Sequence, residues 1–134
     1  VSDQEDFKEA VADIGLTEDL VRALTMQTHD LYLRGSYNTA LMDSSIHGTG
    51  LFATETFNIG DFIMMARIDG KRTTAGRFTN HARRPNAIFV PRAGNAPRDI
   101  DVIAILPIKA GTEITVDYRQ AFAANEELQE ALKK

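Results

Sequence analysis

Between Tyr37 and Tyr118 no apolar stretch runs far before a turn signal cuts it. Glycine, proline or asparagine recurs at Gly48-Thr49-Gly50, Asn58-Ile59-Gly60-Asp61, Gly70, Pro85, Gly94-Asn95 with Pro97, and Pro107 to Gly111. Punctuation this dense leaves room only for short strands. Leu31, Leu33 and then Tyr37, Thr39 and Leu41 alternate around Gly35-Ser36, the pattern of a strand, a turn and a strand. Further strands are expected at Phe62 to Arg67, Ala87 to Val90, Ile100 to Leu106 and Glu113 to Tyr118, with Ile68 to Ala75 a short polar connection. Helices frame this region. Ser2 and Glu5 form a capping box ahead of Phe7, Val11 and Ile14, and Gly15 is a natural stop. Thr17 is placed to cap a second helix carrying Leu20, Val21 and Leu24, and Ala121 to Leu132 has helix-forming composition. The expected architecture is a β-rich α+β domain. It has a helical hairpin over 1–30, a strand-built body over 31–120 and a C-terminal helix over 121–134. The apolar stripes of the hairpin are expected to be packing surface appended to the body rather than part of a site.

With 134 residues the chain can build one core and not comfortably two. It has no cysteine, so a disulfide framework and a Cys-based zinc site are both excluded. No apolar run approaches the ~20 residues of a membrane span, and no signal-peptide pattern is visible. These features lead us to expect an intracellular, cytoplasmic protein. The net charge of −4 hides an asymmetry: residues 1–30 hold eight acids against Lys8 and Arg22, whereas 67–98 hold eight bases against Asp69. Arginines in such a run are more often a solvated face than a nucleic-acid footprint, and no aromatic residues interleave them in a recognised motif. His29, His47 and His81 are far apart and lack spaced carboxylates, so no metal site is expected.

The stretch Gly76-Arg77-Phe78-Thr79-Asn80-His81-Ala82-Arg83-Arg84-Pro85-Asn86 stands out. Pro85 fixes its own φ and biases Arg84 away from helix, so an ordered turn should enter the next strand. Asn80 offers an acceptor and two donors, and a neutral His81 offers one of each. In a pocket the pair can read a purine edge or hold a charged amino-acid tail; on a surface turn it would merely cap backbone. The two glycines around Thr49 permit positive φ and close approach of a ligand, and equally suit a hairpin turn. The residues alone leave both readings open.

Four pieces in one order decide between them: Ile46-His47-Gly48-Thr49-Gly50-Leu51-Phe52-Ala53, Arg77-Phe78-Thr79-Asn80-His81, Pro85-Asn86-Ala87, and Glu113-Ile114-Thr115-Val116-Asp117-Tyr118. In that order they resemble the SET domain family of protein lysine methyltransferases, in a minimal stand-alone form like viral or bacterial versions. The resemblance implies small curved sheets around a knot-like crossing, in which the C-terminal segment threads beside Asn80-His81. It implies S-adenosylmethionine on one face and a lysine entering from the other through a narrow channel. Carried over by position, His47, Gly48, Thr49, Gly50, Arg77, Phe78, Asn80, His81 and Tyr118 would contact the cofactor. Tyr118 would be the catalytic tyrosine, with Phe122 beside it over the substrate channel.

The chain departs from that family in ways that bear on function. Only Ile68 to Ala75 stands where a sizeable insert usually walls the substrate groove. Ala82 replaces a usual serine, Arg83-Arg84 replaces a cysteine-containing pair, and the cysteine-rich segment after the tyrosine is missing. A more open cleft is expected, or a homodimer in which a second subunit supplies the wall. The expected activity is S-adenosylmethionine-dependent methylation of lysine in a protein, with a ribosomal or nucleic-acid-associated protein as the acceptor. The alternative is a catalytically weak module that binds cofactor or a protein partner.

Overall fold

The computed structural model describes residues 2–13, 37–92 and 99–123. The second helix expected after Thr17, the strand at Leu31 to Leu33, the centre of the Gly94-Asn95-Pro97 loop and the helix beyond residue 123 lie outside the described residues.

Helix α1 (Asp3–Asp13) starts where the capping box places it: the Glu5 N–H donates to Ser2 Oγ at 3.1 Å, and Asp3, Glu5 and Asp6 lie in the first turn. Strands β1 (Thr39–Asp43) and β2 (Thr49–Ala53) form an antiparallel pair in which Asp43 faces Thr49. β3 (Phe62–Ile68), β4 (Lys71–Arg72), β6 (Ala87–Pro91) and β7 (Ile100–Ala104) build an antiparallel sheet in the order β4-β3-β7-β6. Register shifts between Phe62 and Met64 and between Met65 and Arg67 bend β3, so the sheet curves. The third sheet pairs β5 (Asn80–His81) in parallel with β8 (Thr115–Val116), Asn80 opposite Thr115 and His81 opposite Val116. That pairing lays the C-terminal segment beside Asn80-His81, as expected. The inward positions Ile100, Val102 and Ala104 of β7 alternate with half-exposed ones and join Leu51, Ile63, Met64, Ile108, Ile114 and Val116 in one core. Burying each of the larger aliphatic side chains contributes about 1.5–3 kcal/mol.

Three local expectations need correcting. The connection from Ile68 to Ala75 is not a plain loop. Asp69 and Gly70 both have positive φ (50° and 79°) and close a two-residue hairpin into β4, because paired positive φ matches the strand twist. Helix α2 (Thr74–Phe78) then forms inside the central motif, capped by Thr73, whose Oγ1 accepts from the Ala75 and Gly76 N–H groups and donates to the Met65 carbonyl. Finally, the last strand is only Thr115–Val116, and helix α3 (Tyr118–Ala123) begins three residues before Ala121. Asp117 ends the strand: its Oδ1 accepts the Arg119 N–H at 2.9 Å and its carbonyl accepts the Ala121 N–H. Tyr118 is therefore the first residue of a helix.

Candidate functional site

The Gly48-Thr49-Gly50 turn is held from inside by one half-buried polar cluster. Asn80 Nδ2 lies 2.9 Å from the His47 carbonyl, 3.4 Å from that of Thr49 and 2.9 Å from Glu113 Oε2. Ser44 Oγ is 2.8 Å from both Glu113 carboxylate oxygens and accepts the Ile46 N–H at 3.0 Å. A half-buried carboxylate needs donors to offset its partial desolvation, and Asn80 and Ser44 provide them. A Cβ at Gly50 would fall on the Glu113 carboxylate and push it away from Asn80 and Ser44. Gly48 is different: its φ is +48° and a Cβ would meet open space. The turn thus presents an open backbone outward while its inner side is fully engaged.

Asn86 anchors the C-terminal segment. Its Nδ2 donates to the Glu113 carbonyl at 2.8 Å, and its Oδ1 accepts the Thr115 N–H at 2.9 Å. The side chain acts as a stretch of strand, which places Glu113 under Asn80 and leads β8 toward Tyr118. Gln120 does the same one turn later, its amide bonding both the N–H and the carbonyl of Phe89.

His81 is fully buried between two elements. Its Nδ1 accepts the Tyr118 N–H at 3.0 Å, and its Nε2 faces Asp6 Oδ2 of α1 at 2.5 Å. Asp6 also lies 3.5 Å from Arg119 Nη1. Burial pushes the Asp6 carboxyl up, but the hydrogen bond to His81, with the Arg119 charge behind, outweighs it and holds the group below its ordinary 3.8. A depressed carboxyl stabilises the fold fully above its ordinary value and loses that contribution as pH falls. The anchor of α1 is therefore intact at neutral pH.

The Tyr118 ring meets His81 edge-on at 5.3 Å between centroids, and its hydroxyl donates to the Thr79 carbonyl at 3.3 Å. Phe7 of α1 closes the group, stacked on His47 at 5.5 Å and edge-on to Tyr118 at 5.5 Å. Burial, with the Glu113 carboxylate adding to it, pushes the Tyr118 phenol up to about 12. A raised phenol favours the fold fully below pH 10 and loses that contribution as pH rises through about 12. In an alkaline ultraviolet titration, the difference between wild type and Tyr118→Phe should therefore show no phenolate signal at pH 10. A Tyr118 signal with its midpoint near 10 would contradict this environment.

The structure brings His47, Gly48, Thr49, Gly50, Asn80, His81 and Tyr118 into one continuous neighbourhood. Arg77 and Phe78 sit just before it on α2, the guanidinium 5.0 Å from the Phe78 ring centre. Phe122 is on α3, its side chain outside the described residues. Among the described residues no cluster of three or more His, Asp or Glu could hold a metal ion. The basic middle is not one face: Arg67 and Arg72 are buried, and Arg92 pairs with Asp101 at 2.7 Å.

Sequence reading missed Ser44, Asp6 and Phe7 as site residues, and it treated Glu113 only as part of a motif. Asp6 did leave a signal. It lies four residues before the fully buried Ala10, an acid on the inward stripe of α1.

Comparison with known proteins agrees with this geometry. Residues 64–119 match the family model described as the SET domain, a span that includes Asn80, His81, Asn86, Glu113 and Tyr118. No curated protein matches the sequence. Among solved structures, a crystal structure of a Plasmodium falciparum candidate histone methyltransferase is similar, with a TM-score of 0.50 and 19% identity. The match covers 60% of this chain and 92% of that one. At that identity the likeness is one of fold.

Proposed function

Residues 64–119 match the SET domain, and from that premise we propose that this chain transfers a methyl group from S-adenosylmethionine to the side-chain amine of a lysine in a protein. The observation that carries the reading is the junction of Tyr118 with the Gly48–Gly50 turn, made through His81, Asn80 and Glu113.

The residues suit the cofactor chemically. Gly48 gives an unobstructed backbone of positive φ, which allows close approach of an amino-acid tail. The oxygens of Tyr118, Thr79 and Glu113 make a surroundings that favours a cationic sulfonium over an anion. When bound, S-adenosylmethionine supplies an already activated methyl, so the protein's share is position and field.

Tyr118 fulfils that share as a neutral phenol. With its pKa near 12, it cannot be the base that strips a lysine ammonium of pKa about 10.4 at neutral pH. That proton leaves to solvent, helped by the cost of carrying an ammonium into a site of low polarity. The Tyr118 O–H is turned to the Thr79 carbonyl. Its oxygen lone pairs are therefore free to accept an N–H from the neutral amine and aim the nitrogen lone pair. Such alignment is worth roughly 7–11 kcal/mol of barrier when complete.

The test has two stages. S-adenosylhomocysteine at about 100 times its dissociation constant should stabilise the protein against heat by about 2.7 kcal/mol. Radiolabelled cofactor with core histones and ribosomal proteins should then give methyllysine detectable by mass spectrometry. No thermal shift and no methyl transfer at saturating cofactor would rule this function out. A shift without transfer would favour the binding-module reading.

A further inference from the structure

We propose that α1 is a working part of the site, in which Asp6 fixes the proton of His81 and thereby the seat of Tyr118. Its catalytic meaning rests on the function proposed above; its geometry does not.

A neutral imidazole has one donor and one acceptor. The Tyr118 N–H donates to His81 Nδ1 at 3.0 Å, so the proton belongs on Nε2. There it meets Asp6 Oδ2, which is itself only 5% exposed. Asp117 Oδ1 lies 3.7 Å from Nδ1, and Arg119 flanks Asp6, so among the described residues the charged groups facing the ring are Asp6, Asp117 and Arg119. Removing the Asp6 carboxylate would leave a buried Nε2–H without its acceptor. Moving the proton to Nδ1 would then set it against the Tyr118 N–H, which is one of the free amides at the start of α3. The first residue of that helix would lose its anchor, and its side chain is the phenol that must be aimed.

The remaining contacts of α1 point the same way. Asp3 Oδ1 accepts the Arg83 N–H, Gln4 donates to the Ser45 carbonyl, and Phe7 spans His47 and Tyr118. One short helix thus touches the glycine turn, the Asn80-His81 strand and the tyrosine together. Asp6 is a positioning residue, not a catalytic one, because it reaches Tyr118 through His81.

The experiment uses the full chain, labelled with nitrogen-15, as wild type, Asp6→Ala and Asp6→Asn. Long-range proton–nitrogen correlation of His81 should show the Nε2–H form in wild type. Asp6→Asn should keep it, since the amide oxygen still accepts. Asp6→Ala should lose it in favour of a mixture or the Nδ1–H form. Turnover on an acceptor found above should fall roughly tenfold in Asp6→Ala, with KM for S-adenosylmethionine changed by less than about threefold, and recover in Asp6→Asn. The loss should stay well under the ~10⁴-fold seen where a carboxylate orients a histidine that itself carries the reacting proton.

A wild-type His81 protonated on Nδ1 overturns the proposal, and so does a folded Asp6→Ala with unaltered His81 signals or unaltered turnover. If Asp6→Ala does not fold, the wild-type tautomer decides. If wild type methylates nothing, the function proposed above fails, while the His81 signals still judge the clamp.

Discussion

Tyr118→Phe is expected to lower methyl transfer by about 10²-fold or more while leaving cofactor binding and the fold nearly unchanged. Removing one well-placed polar group at a reacting centre typically costs 10²–10³-fold in turnover. Among the described residues the hydroxyl bonds the Thr79 carbonyl at 3.3 Å, a long hydrogen bond contributing roughly 0.5–1.5 kcal/mol. The ring, by contrast, is kept by the variant, and the ring is what packs against His81 and Phe7. Activity and stability should therefore separate. Steady-state kinetics beside a thermal melt with S-adenosylhomocysteine reads both. Turnover within about threefold of wild type would remove Tyr118 from the mechanism.

Gly76→Ala should do the opposite and damage the fold. A Cβ at Gly76 would fall on the Ala66 carbonyl of β3 and lie 3.1 Å from its carbon, so the obstacle is backbone and cannot swing away. The same carbonyl accepts the Thr73 N–H that seats the cap of α2. Helix α2 would have to lift off β3, taking with it Thr79 and Asn80. Overpacking of this kind typically costs 1–3 kcal/mol, and a backbone obstacle places the expected loss near the top, about 3 kcal/mol. For a chain of this size that corresponds to a melting temperature lower by roughly 10 °C. Gly48→Ala is the control: it meets open space and pays mainly for its positive φ, about 1–2 kcal/mol. A Gly76→Ala melt within about 2 °C of wild type would show that the α2–β3 contact is looser than described.

The two variants touch the same site from different sides. Tyr118 ends a motif whose asparagines are spent on holding backbone: Asn80 on the His47 carbonyl, and Asn86 on Glu113 and Thr115. The motif's asparagines are therefore chiefly framework, and in the function proposed above it is Tyr118 that meets the substrate.

Local sequence was enough for whatever depends on neighbours a few residues apart. The turn glycines, the Ser2 cap, the β3, β6 and β7 segments and the ordered motif from Gly48 to Tyr118 were readable because short-range sterics and alternation act within a handful of positions. Asp69-Gly70 belongs to that class too; its turn chemistry was present but was read as a plain connection. What needed the folded chain were partners far apart along it. Asp6 and His81 are separated by 75 residues, Asn80 and Glu113 by 33, and Asn86 and Thr115 by 29. An aspartate on the inward stripe of α1 signals that it needs a partner, but nothing local says that the partner is a histidine 75 residues away. The cost of burying an unpaired charge acts only once α1 has docked, so only the tertiary structure could turn an apparent appendage into a wall of the site.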